Sequence, residues 1–271
     1  MTSIVSLDDL VATIASGATL AVPADYSGVA MAATAALVRR GTGKLHLICV
    51  PAGGMQTDML VGEGLVETLE TSAVTLGEAG GAPRFQAAAR EGSIRVIDAT
   101  CPAIHAALLA AQKGVPFMPI RGIIGSDVLA HRADWKVIDN PFATDDPIVI
   151  VPAISPDVAL FHAPEADRFG NVRIGRRREL ATMAYAAKTT LVTVERISET
   201  SLFENERDAA GVLPALYVSQ IAVAERGAWP LGLWGEYPAD SAEIARYAQM
   251  ARTPEGFRAY MDGFVKRARA A

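Results

Sequence analysis

The chain has 271 residues, 51% hydrophobic and 20% charged, with 25 basic against 30 acidic side chains and a formal net charge of −5. That apolar content supports a sizeable buried core and excludes a disordered chain, while the mild acidity leaves no electrostatic footprint for a nucleic acid. Two cysteines, Cys49 and Cys101, exclude a disulfide framework and fit a reducing compartment. The first ten residues carry two aspartates and no basic segment, so no secretory signal is expected. No apolar run reaches the ~18 residues of a membrane span, so the expectation is a cytoplasmic protein without membrane attachment.

Ser6 is a natural N-cap for a helix over residues 7–16, with Asp8 and Asp9 at the positive end of its dipole and Gly17 as its stop. Residues 19–22 read as a short apolar strand, 23–28 as a turn, and 29–40 as an alanine-rich helix closed by Gly41. A second strand over 45–50 enters the loop Pro51-Ala52-Gly53-Gly54. Residues 59–69 read as a helix or turn, 73–76 as a strand, and 77–83 as a glycine-rich turn around Glu78. A helix at 84–91, a strand at 94–97 and a helix at 103–113, stopped by Gly114, complete the first half.

The second half opens on the continuous apolar strand 148–151. Strands at 157–162 and 190–194 flank a helix at 178–187, and amphipathic helices at 240–250 and 254–265 close the chain. Residues 141–147 are the best internal boundary, but both halves can share one core, so one domain over residues 1–271 is expected. Strands separated by helices at this spacing predict an α/β fold, a mostly parallel sheet flanked by helices. Ligands of such sheets sit outside the carboxyl ends of the strands. The glycine-containing turns after Val22, Val50 and Leu76 lie at three such ends and mark one candidate site.

Several motifs admit two readings. Gly62-Glu63-Gly64 lacks the third glycine of a dinucleotide fingerprint, and no Walker-type sequence occurs. His46, His105, His131 and His162 have no metal-ligand spacing, so no metal is expected. The run 77–83 offers backbone amides to an oxyanion, or forms a plain strand-to-helix turn. Asp98, at the end of the strand 94–97, is the candidate catalytic carboxylate: it can act as a base or orient a substrate, or it can cap the following helix. Cys101 precedes Pro102 at a helix start and reads as a small buried thiol. Arg176-Arg177-Arg178 can meet phosphates or a partner's acidic face, or form a solvated helix start, though a helix N-terminus disfavours cations.

Taken in order, a series of segments carries a resemblance: Gly17-Ala18-Thr19-Leu20-Ala21-Val22, Leu45-His46-Leu47-Ile48, Asp58-Met59-Leu60-Val61-Gly62 and residues 77–85. It continues through Gly114-Val115-Pro116-Phe117-Met118-Pro119-Ile120-Arg121-Gly122, Gly125-Ser126-Asp127, Ala166-Asp167-Arg168-Phe169-Gly170-Asn171-Val172 and Ala186-Ala187-Lys188-Thr189-Thr190. It ends in Pro254-Glu255-Gly256-Phe257-Arg258-Ala259-Tyr260-Met261. The series spans nearly the whole chain and resembles the α subunits of family I coenzyme A transferases, the glutaconate CoA-transferase type.

The resemblance implies a heteromeric enzyme that moves CoA between acyl-CoA and a small carboxylic acid. In that family a glutamate forms an anhydride and then a glutamyl-CoA thioester, and in the glutaconate type it belongs to the β subunit. No Ser-Glu-Asn-Gly type signature occurs here; Glu204-Asn205-Glu206 is a superficial echo. The partner expected is therefore a β subunit carrying the nucleophile. This chain is expected to supply substrate-binding loops, through Gly53, Gly54, Gly80, Gly81, Arg121, Ser126 and Asp127. Arg121 can hold a carboxylate by two parallel hydrogen bonds or sit in an internal salt bridge. No cofactor is bound permanently, because coenzyme A passes through as a substrate. Gly227-Ala228-Trp229-Pro230 departs from the Gly-Ala-His-Pro segment of related subunits. Ring-opening CoA-thioester hydrolases of steroid degradation also resemble the chain, with an acidic residue near Asp98; a regulatory CoA-binding subunit is the non-enzymatic alternative.

Overall fold

The computed structural model describes residues 2–270. Its main sheet orders eight strands as Ser3–Ile4, Gln220–Val223, Thr189–Ser198, Val158–Asp167, Thr19–Pro23, Leu45–Val50, Val66–Thr71 and Arg95–Asp98. Every pairing along that path is parallel. The short strands Val172–Arg173 and Val212–Leu213 extend it antiparallel beside the end of Val158–Asp167. The α/β fold with a mostly parallel sheet is thus the one the strand and helix spacing predicts.

Parallel strands covered on both faces read as near-continuous apolar runs, and in Leu45–Val50 every side chain but His46 is buried. The period of two then divides these residues between two cores. Leu45, Leu47 and Cys49 join Leu10, Ile14, Ala33 and Leu37 on one face. Ile48 and Val50 join Ile104, Leu108, Leu180 and Met183 on the other. A third cluster packs the helices Ser241–Met250 and Pro254–Ala270 against Met55 and Met59 through Tyr247, Phe257 and Tyr260. A separate antiparallel sheet places Pro147–Pro152 between Phe117–Ile120 and Lys136–Asp139. Residues 141–147 connect two of its neighbouring strands.

One strand lies elsewhere than expected. The pairing strand is Val66–Thr71, while Val74 and Thr75 make only isolated bridges to Gly53 and Gly81. The helix Met55–Gly62 starts four residues before the expected position and stops at Glu63 and Gly64, whose φ is +70°. The following residues are thereby released into the sheet.

Asp167 closes the strand Val158–Asp167 and is fully buried. One of its oxygens accepts the Phe169 and Asn171 backbone N–H groups, each at 2.9 Å. The other accepts the Asn171 side-chain amide at 2.8 Å and the Leu202 N–H at 2.9 Å. Burial raises the carboxyl pKa, but these donors outweigh it and hold it below the ordinary value. Asp167→Ala leaves the donors without an acceptor, and the expected loss is about 3 kcal/mol in urea unfolding at pH 7. A pKa depressed by folding contributes stability above the unfolded value and loses it as pH falls through the folded one. The gap between wild type and variant therefore narrows in acid; an equal gap at pH 7 and pH 3 would refute the assignment.

Candidate active site

The strands Thr19–Pro23, Leu45–Val50 and Val66–Thr71 end side by side, and the loops that leave them converge. Ala24, Asp25 and Tyr26, then Ala52, Gly53 and Gly54, then Thr75, Leu76 and Gly77 form one side of a cavity of about 900 Å³. Residues 231–239 and Arg177 form the other. Such a volume lies within the range of small-molecule sites.

Asp25 ties the first two loops together. Its two oxygens lie 3.0 and 3.2 Å from the Met55 N–H, so it caps the helix Met55–Gly62 from outside the local sequence. A Cβ on Gly54 would overlap the Asp25 carboxyl, so the backbone passes there only as glycine. Burial pushes the Asp25 pKa up to about 6; the Met55 N–H works against the rise and Asp58 adds to it. The third loop is a compact turn: the Thr75 hydroxyl donates to the Gly80 carbonyl and accepts the Gly77 N–H, both at 3.2 Å.

The far wall hangs on Glu195. One of its oxygens accepts from His162 Nε2 at 2.8 Å, the Tyr237 hydroxyl at 2.7 Å and the Gly227 N–H at 3.2 Å. The other accepts the Arg226 N–H at 2.6 Å. The carboxylate assigns the proton to Nε2 and leaves Nδ1 to accept from the Thr193 hydroxyl at 2.8 Å. Burial raises the Glu195 pKa, but the hydrogen bonds from His162 and Tyr237 bring it below the ordinary value. A Cβ on Gly227 would lie 2.5 Å from His162 Cε1, which again requires glycine. Higher on the wall the Arg177 guanidinium stacks on Trp234 at 4.0 Å.

Of the residues singled out in the sequence, Gly53 and Gly54 line the cavity. Gly80 and Gly81 fold back on it through the pairing of Thr75 with Gly81 and the bond from the Leu76 N–H to the Gly80 carbonyl. Asp98 is exposed on the edge strand Arg95–Asp98, outside the cavity lining; its carbonyl accepts from Arg132 at 3.1 Å. The cap of the helix Cys101–Lys113 is Thr100. Arg121 is bound through two nitrogens to Asp146 beside the small sheet. Ser126 caps the short helix Asp127–Ala130, in whose first turn Asp127 lies. Cys101, expected to be buried, is exposed at the start of its helix, where its sulfur lies 3.2 Å from the Ser72 hydroxyl. Trp229 faces away from the cavity, bonded to Asp240 at 3.2 Å with Arg267 stacked on it. Sequence reasoning misses Asp25, Trp234 and Tyr237; only Asp25 carries a signal, its place in a marked strand-end turn. Among the described residues no group of three or more His, Cys, Asp or Glu is placed to hold a metal.

The family model described as coenzyme A transferase matches residues 4–224. A protein of Archaeoglobus fulgidus is 31% identical over 212 residues, 77% of this chain but 46% of its own, so the match spans about half of that relative. A glutaconate CoA-transferase subunit from Acidaminococcus fermentans is 30% identical over 252 residues, 86% of this chain and 78% of its own. The crystal structure of that enzyme superimposes with a TM-score of 0.89 at 28% identity, over 97% of this chain and 89% of the other. The cholesterol ring-cleaving hydrolase IpdA subunit of Rhodococcus jostii is 28% identical, covering 96% of this chain and 91% of its own. The chain belongs to the coenzyme A transferase family, and it is of the α-subunit type.

Asp25 has a measurable signature. Its carboxyl holds a proton more tightly in the folded chain, so folding takes up a proton between pH 3.8 and about 6. Stability therefore falls as pH rises through that window. Asp25→Asn removes the effect and keeps an oxygen for the Met55 N–H. The variant is expected to be more stable than wild type at pH 7.5, by on the order of 1–3 kcal/mol, with no advantage at pH 4. Urea unfolding at both pH values checks this; an unchanged difference between them would mean an ordinary carboxyl.

Proposed function

We propose that this chain is the α subunit of an enzyme that transfers CoA between an acyl-CoA and a small carboxylic acid, at a site completed by a β subunit. The observation that carries the reading is a strand-end cavity whose own carboxylates are both engaged. Asp25 faces the Met55 N–H, and both oxygens of Glu236 lie 2.9 Å from Arg196 Nη1. Neither is poised to attack a thioester, in keeping with an attacking glutamate on the partner.

The chemistry then runs in balanced steps. The partner's glutamate attacks the thioester carbonyl and CoA leaves as the thiolate, giving an acyl-glutamyl anhydride. The thiolate attacks the glutamyl carbonyl and releases the first acid, and the second acid enters by the reverse sequence. This chain supplies the walls that hold the acyl group and exclude water, with Gly53 and Gly54 permitting close approach to the backbone and Gly80 and Gly81 shaping the adjoining turn. Asp98, Arg121, Ser126 and Asp127 then meet substrate only where the partner closes over them.

A hydrolase reading draws on the likeness to the ring-cleaving enzyme and on Asp98, whose carboxyl has no hydrogen bond or ion pair among the described residues. The two readings separate in one experiment. The chain is purified with its partner and given acyl-CoA with and without acetate or succinate. Transfer requires the acceptor, and intact-mass measurement without it shows a CoA adduct on the partner and none on this chain. Full-rate CoA release without an acceptor would overturn the transferase reading, and full activity of Asp98→Ala would overturn the hydrolase one.

A further inference from the structure

A second cavity, of about 690 Å³, lies at the ends of the parallel strands Ser3–Ile4 and Gln220–Val223, where Ser6 and Val223 line it. Its volume is that of a small-molecule site, and the carboxyl ends of parallel strands are where such sites lie. One segment of chain separates it from the first cavity. Residues 231–239 line the first, while Arg226, Trp229 and Asp240 line the second. The Arg226 guanidinium lies 5.0 Å from the Tyr237 ring, so the two linings touch through that pair.

Three arginines and three acids line the second cavity, Arg39, Arg226 and Arg267 against Asp8, Glu225 and Asp240. Arg39 and Asp8 pair with each other at 2.7 Å. Asp240 accepts the Trp229 Nε1–H at 3.2 Å and the Glu243 N–H at 3.1 Å. Arg226, Arg267 and Glu225 are left with no ion pair and no side-chain hydrogen bond among the described residues.

Both unmatched arginines are held in place. Arg267 stacks on Trp229 at 4.2 Å, which fixes the plane of its guanidinium. Arg226 has a φ of +49°, in the left-handed region that glycine occupies freely and other residues resist. Its N–H, donated to Glu195 at 2.6 Å, keeps it there. A bulky cation retained where glycine fits better points to a use for its side chain. The rest of the lining offers apolar surface from Leu7, Val223, Trp229 and Phe264. A ligand that complements two free cations, one free acid and this surface has an anionic end, a cationic end and an apolar body.

We propose that the second cavity is a binding site for an amino acid with an apolar side chain, its carboxylate received by Arg226 and Arg267 and its ammonium group by Glu225. The side chain then lies against Trp229 and Phe264. The site is separate from the acyl cavity and does not depend on the transferase reading.

The test is calorimetry on the full chain, alone and in complex with its partner, with leucine, methionine and phenylalanine as probes. The tightest of the three is then compared with its deaminated acid and its decarboxylated amine. The amino acid is expected to bind roughly tenfold or more tightly than either analogue, since each lacks one charged pair. Arg226→Gly suits the backbone conformation and removes only the guanidinium, so it tests the site without endangering the fold. It and Arg267→Leu are each expected to lose roughly tenfold of the amino-acid affinity and to leave the amine unchanged, whereas Glu225→Gln is expected to weaken the amine and spare the deaminated acid. Binding of none of the three amino acids overturns the proposal, as does equal binding of an analogue or wild-type affinity in the arginine variants. Binding by the isolated chain that vanishes in the complex assigns the cavity to the subunit interface and overturns it too.

Discussion

Asp25 reaches from the end of one strand to the first amide of the helix that follows the next, under a backbone with no side chain to block it. The loops after Thr19–Pro23 and Leu45–Val50 are thereby held at one spacing, and that spacing shapes one side of the cavity. The contact joins opposing tendencies. A helix N-terminus favours a carboxylate, while burial and nearby Asp58 favour a neutral acid. Burial wins enough to push the pKa up to about 6. Asp58, fully buried in the first turn of the same helix, anchors its other neighbours by accepting the Phe85 N–H at 2.7 Å and the Tyr247 hydroxyl at 2.6 Å. The same helix therefore meets the strand-end loops through Asp25 and the C-terminal helices through Asp58.

The opposite wall is independent of this arrangement and uses a different device. Glu195 collects donors from His162, Tyr237 and the backbone at Arg226 and Gly227, so the chain leading into the wall is held by one ionised carboxylate. Its hydrogen bonds outweigh its burial, the reverse of the balance at Asp25. Two acids of one fold thus take different roles because one has a single backbone donor and the other has four partners. The cavity is the space left between a wall hung on Asp25 and a wall hung on Glu195.

Much of this is legible in the sequence because parallel strands and their loops have strong local signals. Runs such as Leu45–Val50 announce burial on both faces, and the glycine-containing turns after Val22, Val50 and Leu76 are the ones that line the common cavity. What stays hidden is non-local. The start of Met55–Gly62 depends on Asp25, 30 residues earlier, so nothing near Gly54 signals a cap and the next strand is expected too late in the chain. Trp234 and Tyr237 lie in a loop with no periodicity, and their meaning depends on Gly28, Gly175 and Glu195 far away in the chain. Arg121 has the chemistry of an anchor because arginine fits a carboxylate, and the carboxylate it meets is Asp146 of this chain. Residue type discloses what a side chain can bind; only the fold discloses whether that capacity is already taken.

The same distinction separates binding from chemistry in this family member. A cavity whose acids are occupied is suited to gripping a substrate and unsuited to attacking it. Binding energy from a remote, non-reacting end of the substrate accelerates a reaction when it is used to position the reacting end. An acyl chain laid along Ala24, Ala52, Leu231 and Leu233 of the cavity would be held in one orientation. A nucleophile presented by a second subunit would then meet a thioester whose orientation had already been set. On this view the attacking group need not find the substrate, because the cavity has already removed most of its freedom.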